Sequence, residues 1–252
     1  MEGVLKMIEL ALIMPVLNCL DYTKQFLETL EGKANLKMVL INNGSTDGTT
    51  DYFNFIKNDF NTGIFNLPEN IGVSGAWNFG IYFAIHTLKC KYFLVVNNDI
   101  ILHPQAIEIL LKTIETPGVV MATATDVSGQ IPKAIDTLKM KIPGESKLTE
   151  CPDFSCFMIK KETIEKVGWF DEKFYPAYFE DNDYHYRIKQ AGLKAYKSNQ
   201  ALFYHFGSRT IKASEEIKTK ANIGYSINRD YYKEKWGGDP GKESFKTPFN
   251  KC

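Results

Sequence analysis

The chain has 252 residues with 30 lysine and arginine residues against 30 aspartate and glutamate residues, so its formal net charge at pH 7 is zero. Hydrophobic residues make up 44% and charged residues 24% of the chain, a composition typical of a soluble globular protein that excludes a disordered or fibrous one. The balanced charge argues against non-specific nucleic-acid binding, which usually needs a basic excess.

The N-terminal stretch predicts a buried strand and not a secretion signal. Residues 8–16 are apolar, but Glu2 and Glu9 interrupt the apolar region, Pro15 lies inside it, and no small-residue cleavage site follows. No apolar run approaches the roughly 18 residues that a transmembrane helix needs. The five cysteines are odd in number and form no CxxC pair, which favours a reducing compartment. We therefore expect a cytoplasmic protein, with peripheral contact to a membrane left open.

Short apolar runs alternate with amphipathic stretches through the first half of the chain. Residues 8–16, 37–41 and 91–96 are apolar and bounded by turn residues, which predicts buried strands. Apolar residues recur at helical spacing from 73 to 88 and again from 107 to 114. This alternation predicts an α/β fold whose mostly parallel central sheet is covered by helices on both faces.

The second half of the chain has a different pattern. Residues 118–160 contain several short strand-like pieces around the polar stretch 126–150, and helices are predicted over 179–191 and about 214–235. The shared face of the last helix consists of Ile217, Ala221, Gly224, Tyr225 and Tyr232. Residues 238–252 are predicted to form a loose tail. Two halves that share one sheet fit this pattern better than two independent domains.

Polar clusters follow three of the predicted strands. Asn18 follows the first, the sequence NNGSTDGT (42–49) follows the second, and the sequence NND (97–99) follows the third. Ligands of open α/β sheets bind outside the carboxyl ends of the parallel strands, so the clusters predict one crevice. Residues 42–49 are also compatible with a capped turn, and Asp99 with a turn former. A divalent cation bound to nucleotide phosphates, however, needs only one or two protein carboxylates.

The sequence YFEDNDYHYR (178–187) places Glu180, Asp181 and Asp183 within one helical turn. The helix dipole favours carboxylates at a helix N-terminus, and Asp183 can pair with Arg187 four residues further on. That structural explanation accounts for Asp183 better than for Asp181. Asp181 is therefore a candidate general base.

His205 lies in the sequence LFYHFGSRT (202–210), directly after a strand-like run. A lone histidine usually has a structural role, but neutral imidazole is also a good ligand for a cation such as Mn²⁺, and the following residues offer phosphate donors. Both interpretations stay open at this point. His86, His103 and His185 lack such a context, and we expect structural roles for them.

Together, these motifs resemble the pattern of glycosyltransferase family 2, which has the GT-A fold, from about residue 8 to residue 237. The matching pieces are IMPVLN (13–18), VLINNGSTDGTTDY (39–52), NIGVSGAWNFGI (70–81), FLVVNND (93–99), FSCFMIKKETIEKVGWFDEKF (154–174), YFEDNDYHYRIKQAG (178–192), YHFGSRT (204–210) and YYKEKWG (231–237). Their order and spacing carry the resemblance, and the NND sequence resembles a rhamnosyltransferase-like branch.

The resemblance implies a role for each matching residue. Nucleotide-sugar binding would fall to Pro15, Asn18, Asn42, Asn43, Ser45, Asp47, Asn70, Gly72, Gly75, Asn78, Asn97, Asn98 and Arg209. Asp99 and His205 would hold the metal ion, and Asp181 would be the catalytic base with Glu180 beside it. Residues 1–237 would form a single GT-A domain, with a nucleotide-sugar-binding half to about residue 125 and an acceptor half after it.

The implied activity is an inverting transfer that depends on Mn²⁺ or Mg²⁺. A hexosyl, deoxyhexosyl or N-acetylhexosaminyl group would move from a UDP- or dTDP-sugar to a hydroxyl acceptor, such as a glycan or a lipid-linked glycan, in polysaccharide or glycoconjugate synthesis. The sequence leaves the sugar, the acceptor and the oligomeric state open.

Two departures from the family pattern keep rival interpretations in view. Asn42 and Asn97 stand where many members carry an acidic residue, which leaves nucleotide and metal preference open. These asparagines motivate the alternative of a non-catalytic nucleotide-sugar-binding or scaffolding protein of the same descent. A nucleotidyltransferase is less favoured, because residues 17–25 lack a glycine-rich basic loop.

Overall fold

A computed structural model describes residues 9–30, 36–56, 62–207, 209 and 215–251. The strands are β1 (Leu10–Val16), β2 (Lys37–Asn43), β3 (Thr62–Leu67), β4 (Tyr92–Val96), β5 (Ile100–Leu102), β6 (Val119–Asp126), β7 (Leu148–Thr149), β8 (Cys156–Lys160) and β9 (Lys194–His205). The helices are α1 (Leu20–Glu28), α2 (Thr49–Ile56), α3 (Gly72–His86), α4 (Ala106–Ile114), α5 (Lys161–Val167), α6 (Glu180–Gln190) and α7 (Glu215–Trp236). Short 3₁₀ helices cover Ala134–Lys139 and Pro248–Asn250.

The described strands form one mixed sheet in the order β3-β2-β1-β4-β8-β6-β9-β5, with β7 also paired to β9. Strands β3, β2, β1 and β4 run parallel, β8 is antiparallel to both its neighbours, and β6 and β9 run parallel again. The predicted α/β fold with a central, mostly parallel sheet and flanking helices is confirmed. The sheet runs through both halves of the chain; the division into a donor half and an acceptor half stays a prediction.

Helices cover both faces of the sheet because side chains alternate along each strand. Leu12 of β1 belongs to one buried cluster, which includes Phe26 of α1 and Leu110 of α4. Ile13, the next residue, belongs to the opposite cluster, which includes Trp77 of α3 and Tyr184 of α6. Every one of these side chains is at most 3% exposed. The near-continuous apolar runs of the parallel strands are therefore buried on both sides, as expected for such sheets.

Helix α7 packs through a face that the apolar pattern identified only in part. Ala221 and Tyr232 are buried as predicted, but the middle of the face is Asn228, which is fully buried. Tyr225 lies at the edge of this face and remains 46% exposed. The side chain of Ile217 lies outside the described residues. None of the helices in the described part of the chain combines the length and apolarity that a membrane span requires.

The predicted C-terminal tail bonds back to the helices at Glu243, Ser244 and Phe245. The backbone amides of Ser244 and Phe245 donate to the carbonyl of Trp236 at the end of α7, and Tyr186 Oη of α6 donates to the carbonyl of Phe245 (2.9 Å). Tyr232 Oη also donates to Glu243 Oε1 (2.5 Å). The glycines and prolines of this stretch turn the chain back onto α6 and α7, where it satisfies a carbonyl that the helix end leaves free.

Candidate active site

The carboxyl ends of β1, β2 and β4 lie side by side because these strands are neighbours in the sheet. After β1, the backbone amide of Asn18 donates to Ser45 Oγ (2.8 Å), and the amide of Thr46 donates to Asn18 Oδ1 (2.7 Å). After β4, Asn98 Nδ2 donates to the carbonyl of Asn18 (3.1 Å). The three polar clusters therefore meet at one edge of the sheet, as the sequence predicted.

This edge borders a cavity of about 520 Å³, a volume within the range of small-molecule sites. The predicted site residues that line it are Pro15, Asn18, Asn43, Asn70, Asn97, Asn98, Asp99, His205 and Arg209. Other lining residues are Val73 and Trp77 of α3, Tyr175, Pro176 and Ala177 before α6, and Lys220 and Ala221 of α7. The cavity thus has one wall of strand-end loops and another built from the region around α6 and α7.

Strand pairing brings Asp99 and His205 together although they are far apart in the sequence. Ile100 of β5 pairs with His205 of β9, so the preceding residue, Asp99, lies beside the imidazole ring. His205 Nε2 is 3.2 Å from Asp99 Oδ1, and the backbone amide of Arg209 donates to Asp99 Oδ2 (3.3 Å). Burial lowers the pKa of His205, but the hydrogen bond to Asp99 and the negative charges of Asp99, Asp126 and Asp153 together leave the pKa raised.

The chemistry of this pair fits a divalent cation. Among the described residues no group of three or more His, Cys, Asp or Glu side chains forms a metal cage. Two protein ligands are nevertheless enough for an ion whose remaining ligands are phosphate oxygens and water, and carboxylate with imidazole suits Mn²⁺. The buried Arg209 Nε has no hydrogen-bond partner within the described part of the chain, and its guanidinium lies over the Tyr22 ring (5.5 Å). An anionic group in the cavity would supply the acceptor that Arg209 lacks.

Glu180 and Asp181 begin α6, and neither of them lines the cavity. Burial, together with the charge of Asp181, raises the pKa of Glu180 to about 8, and Glu180 Oε2 has no partner among the described residues. Burial also raises the pKa of Asp181, and the charge of Asp153 contributes. Since Asp153 raises the pKa of His205 as well, Asp181 and the Asp99–His205 pair share one electrostatic neighbourhood. The surroundings of Glu180 and Asp181 therefore raise the pKa of both carboxyl groups.

The third carboxylate of α6, Asp183, has the structural role that its spacing predicted. Arg187 Nε donates to Asp183 Oδ2 (2.9 Å). Asp183 Oδ1 accepts a hydrogen bond from Trp236 Nε1 (2.8 Å) and forms an ion pair with Lys235 Nζ (2.7 Å), both on α7. Asp183 is fully buried, so these charged hydrogen bonds fasten the helix that carries Asp181 to the end of α7.

Asn42 does not reach the cavity, although the sequence assigned it to nucleotide binding. Its Nδ2 donates to Thr50 Oγ1 (2.8 Å) and to Asn66 Oδ1 (3.0 Å), and its Oδ1 accepts from the backbone amide of Ser45 (2.8 Å). Both amide hydrogens are therefore used within the protein. Successive residues of a strand point to opposite faces, so the neighbouring Asn43 faces the cavity instead.

Asn43 shapes the cavity wall through the turn before α3. Its Nδ2 donates to Asn70 Oδ1 (3.0 Å), and its Oδ1 accepts from the backbone amide of Ile71 (2.9 Å). Gly44 follows with a φ of 81°, and a Cβ atom there would lie 2.7 Å from the backbone nitrogen of Asn70. Only glycine fits this conformation and this close approach of two backbones.

The other predicted residues that do not line the cavity are Ser45, Asp47, Gly72, Gly75 and Asn78. Asp47 accepts from the backbone amide of Leu20 (2.9 Å) and so links the first turn of α1 to the loop after β2. Asn78 exchanges hydrogen bonds with the backbone of Phe170 (2.9 and 3.0 Å). A Cβ atom at Gly72 would approach Tyr175 and one at Gly75 would approach Ile71, so neither glycine opens space for a donor.

Comparison with known proteins decides the family. The sequence model of a family described as glycosyl transferase family 2 matches residues 11–168, which is more than half of the chain. This chain belongs to glycosyl transferase family 2. The match ends before α6, so the placement of Glu180, Asp181 and His205 depends on the structure and on the motifs after residue 168.

Individual proteins resemble this chain over a short stretch or at low sequence identity. A galactofuranosyl glycosyltransferase of Leishmania donovani is 34% identical over 85 residues, which are 33% of this chain and 19% of that protein. Crystal structures with the same fold include S. aureus TarS 1-349 (TM-score 0.56, 16% identity, 84% of this chain and 65% of that one). They also include GalNAc-T7 with UDP, GalNAc and Mn²⁺ (TM-score 0.66, 12% identity, 90% of this chain and 48% of that one). The family 2 chain therefore spans only a fifth of the curated relative's length.

Sequence reasoning missed the cavity residues of this family 2 protein that come from outside the strand-end loops. The helical pattern places Trp77 on the core face of α3, and it gives Lys220 and Ala221 of the last helix no individual role in a site. Tyr175 had a weak signal, as an aromatic residue close to the carboxylates of α6. Nothing in local periodicity indicates that α7 folds back across the end of the sheet.

Proposed function

We propose that this family 2 chain is an inverting glycosyltransferase that uses a nucleoside diphosphate sugar, of the UDP or dTDP type, and a hydroxyl acceptor. The observation that carries the proposal is the pairing of Asp99 with His205 at a cavity on the carboxyl ends of the parallel strands, with Arg209 directly beside it. The family match supports it, and so does the similarity of the fold to GalNAc-T7, whose crystal structure contains UDP and Mn²⁺.

Asp99 and His205 would hold a Mn²⁺ or Mg²⁺ ion in this proposal. When bound, such an ion stabilises negative charge on the diphosphate leaving group. Arg209 adds a fixed positive charge at the same end of the cavity, and its unpartnered Nε is available to a phosphate oxygen. Asn18, held by the hydrogen bond from the backbone amide of Thr46, presents its amide group to the nucleoside without reorganising. Asn43, whose amide atoms bond to Asn70, Ile71 and Gly72, fixes the shape of the wall beside it.

Asp181 would act as the general base. The acceptor oxygen forms a bond to the anomeric carbon, the bond from that carbon to the phosphate oxygen breaks, and its electron pair leaves with the nucleoside diphosphate. The acceptor's proton passes to an Asp181 carboxylate oxygen. Burial raises the pKa of Asp181, which makes its carboxylate a stronger base than a solvated aspartate. Attack from the face opposite the leaving group inverts the anomeric configuration.

The transferred group would be a hexosyl, deoxyhexosyl or N-acetylhexosaminyl unit, and the acceptor a glycan or lipid-linked glycan of polysaccharide or glycoconjugate synthesis. The names of the relatives support this class of chemistry. Metal dependence and the UDP or dTDP preference are parts of the same proposal and share its test.

The test is a screen of nucleotide sugars by thermal denaturation, with Mn²⁺ and with EDTA. UDP-galactose, UDP-N-acetylgalactosamine, UDP-glucose and dTDP-rhamnose are compared at equal concentration. A donor at 100 times its Kd stabilises the folded state by about 2.7 kcal/mol, so the preferred donor raises the Tm. We expect EDTA to remove this shift. Release of nucleoside diphosphate from that donor, followed over hours, then measures transfer to water or to an added sugar acceptor.

The outcomes separate the rival functions. A metal-dependent shift with nucleoside diphosphate release supports the proposal, and nuclear magnetic resonance of the released or transferred sugar shows whether the anomeric configuration inverts. A shift without release, for every donor and acceptor, indicates the non-catalytic binding protein. Release of pyrophosphate from a nucleoside triphosphate and a sugar phosphate indicates a nucleotidyltransferase. No shift with any donor contradicts the proposal.

A further inference from the structure

One short segment connects the cavity wall with the helix that carries Asp181. We call residues 175–179 the lead-in segment, because it ends where α6 begins, at Glu180. Its first three residues line the cavity. Tyr175 Oη donates to the carbonyl of Asn70 (3.2 Å), so the segment also contacts the strand-end side of the cavity. Its position determines both the shape of the cavity and the place of the first turn of α6.

The lead-in segment has a backbone conformation that does not form by itself. Tyr178 has a φ of 80° and Phe179 a φ of 71°. A left-handed conformation is uncommon for any residue other than glycine and is a clear outlier for a bulky aromatic residue. Two such residues in succession cost about 1–3 kcal/mol each and persist only where the surrounding structure holds them. Asp181, two residues further on, depends on whatever holds this conformation.

Hydrogen bonds from two helices hold the segment. The backbone amide of Val73, at the start of α3, donates to the carbonyl of Pro176 (2.9 Å). The next two carbonyls, of Ala177 and Tyr178, both accept from Asn228 Nδ2 of α7, at 2.8 and 3.1 Å. One side-chain amide therefore fixes the two peptide groups that lead into the strained pair.

Asn228 is poorly explained by stability alone. It is fully buried in the middle of the packed face of α7, and its Oδ1 has no partner among the described residues. An apolar residue would avoid the cost of this unpartnered oxygen, but it would leave the carbonyls of Ala177 and Tyr178 without the amide that binds them. The two hydrogen bonds that Nδ2 donates are what only asparagine supplies at this position.

Gly224, one turn earlier on the same face of α7, lets the helix approach the segment closely. A Cβ atom at Gly224 would lie 2.5 Å from Pro176 Cδ and 3.1 Å from the carbonyl oxygen of Tyr175. Real Cβ atoms do not approach so closely, so any larger residue would push the segment away from the helix. Gly224 and Asn228 therefore act on the same five residues, one by contact and one by hydrogen bonding.

We propose that Asn228 is a positioning residue for the transfer reaction: by binding the carbonyls of Ala177 and Tyr178 it sets the lead-in segment, and through it the Asp181 carboxylate. The inference rests on the proposed function of Asp181 as the base. It adds a role for α7 that the family pattern assigned to no residue. Among the described residues, the hydrogen bonds of Asn228 go to the lead-in segment and not to the donor side of the cavity, which is built on β1, β2 and β4.

The test compares Asn228→Ala with Asn222→Ala, which changes an exposed asparagine on the same helix. The donor is the nucleotide sugar that wild-type protein hydrolyses fastest with Mn²⁺, and binding is measured with the matching UDP or dTDP. A misplacement of about 1 Å at a reacting group can lower a rate about 100-fold. We expect kcat per nucleotide-binding site to fall between tenfold and 100-fold in Asn228→Ala, with nucleotide Kd within twofold of wild type. Asn222→Ala should match wild type in both.

Hydrogen exchange of the backbone amides of residues 178–183 provides a readout that does not require activity. We expect faster exchange in Asn228→Ala and wild-type exchange in Asn222→Ala. If Asn228→Ala lowers the Tm but keeps wild-type kcat per binding site, Asn228 is only structural and the inference is wrong. If wild-type protein itself turns over no donor, the proposed function is wrong. The hydrogen-exchange comparison then still shows whether Asn228 holds residues 178–183 in place.

Two further variants keep the test decisive if Asn228→Ala does not fold. Asn228→Ser retains a short hydrogen-bond donor, so its kcat should lie between those of wild type and of the alanine variant. Gly224→Ala displaces the same segment while leaving the Asn228 amide in place, and kcat should again fall at least tenfold with nucleotide Kd unchanged. Wild-type kcat in a folded Gly224→Ala or Asn228→Ser protein, with altered exchange at residues 178–183, would overturn the inference.

Discussion

The loop wall of the cavity and the first turn of α6, behind the other wall, are built from different chemistry. The loop wall is made mainly of neutral amides and hydroxyls that bond to one another, as Asn18 does to Ser45 and Thr46. The first turn of α6 does not line the cavity and carries buried carboxyl groups, among them Glu180, whose Oε2 has no partner among the described residues. The loop amides have their hydrogen bonds in place before a ligand arrives, whereas the protonation of these carboxyl groups responds to their surroundings.

This difference matters because neutral and charged groups contribute differently when buried. A satisfied network of amides makes a rigid wall at modest cost, while an unpaired buried charge is expensive and is tolerated mainly where chemistry uses it. We therefore expect mutations at the loop wall to change shape and stability modestly. Mutations near α6 should have large and pH-dependent effects.

The largest effect is expected for Asp181→Asn. Asparagine keeps the size of the side chain but cannot accept the acceptor's proton, and general-base catalysis contributes about 10²–10⁴-fold. Turnover of the preferred donor should fall at least about 100-fold, with nucleotide binding unchanged. Steady-state release of nucleoside diphosphate, with a separate binding titration, measures both. A rate near that of wild type would remove Asp181 from the mechanism.

Asp183→Asn should destabilise the fold strongly. Asp183 is fully buried, accepts hydrogen bonds from Arg187 and Trp236 and forms an ion pair with Lys235, so its loss leaves buried cations without this counter-ion. Removing one partner of a buried ion pair costs about 3–5 kcal/mol. Urea denaturation measures the change in the free energy of unfolding. Asp230→Asn is the control, because the ion pair of Asp230 with Arg229 is exposed and should contribute under about 1 kcal/mol.

Glu180→Gln should change how stability depends on pH. Burial raises the pKa of Glu180 from 4.5 to about 8, so the folded state binds this proton more tightly than the unfolded state. Its contribution to stability is therefore complete below pH 4.5 and is lost as the pH rises towards 8. Glutamine stays neutral, so the variant should gain about 5 kcal/mol relative to wild type between pH 4.5 and 8.

Urea denaturation of Glu180→Gln at several pH values in that window tests the sign and the size. Glu108→Gln, at an exposed position of α4, is the matched control and should differ from wild type by a pH-independent amount. A difference for Glu180→Gln that does not vary with pH would show that Glu180 is ionised in the folded protein. The contrast between the loop wall and the first turn of α6 would then be weaker than we infer.

The smallest of these effects is expected for Asn42→Ala, beside the loop wall. It removes the hydrogen bonds to Thr50 and Asn66, but both partners are exposed, so water can replace the lost amide and the cost is about 0.5–1.5 kcal/mol. Because Asn42 does not line the cavity, nucleotide Kd should remain within twofold of wild type. Asn54→Ala, at the exposed end of the same hydrogen-bonded ladder, should be nearly neutral. A tenfold loss of nucleotide affinity in Asn42→Ala alone would return Asn42 to the binding site.

Sequence reasoning performed best where the signal is local. The strands and helices of the first half follow from apolar periodicity, and Asp183 with Arg187 follows from helical spacing, which the structure confirms at 2.9 Å. It performed worst where it had to decide which of two adjacent asparagines faces the cavity. Asn42 and Asn43 are adjacent and chemically identical, and the period of a strand shows that they differ but not which of them faces a ligand.

Length, composition and periodicity by themselves determined that this balanced, 252-residue chain forms an α/β sheet with polar groups at three strand ends. Only the tertiary structure decided that β5 pairs with β9 and so brings Asp99 to His205, and that α7 returns to hold the lead-in segment with Asn228. The reason is physical: local patterns reflect which side of an element is buried. The partners that meet across the sheet are selected by the packing of the whole chain.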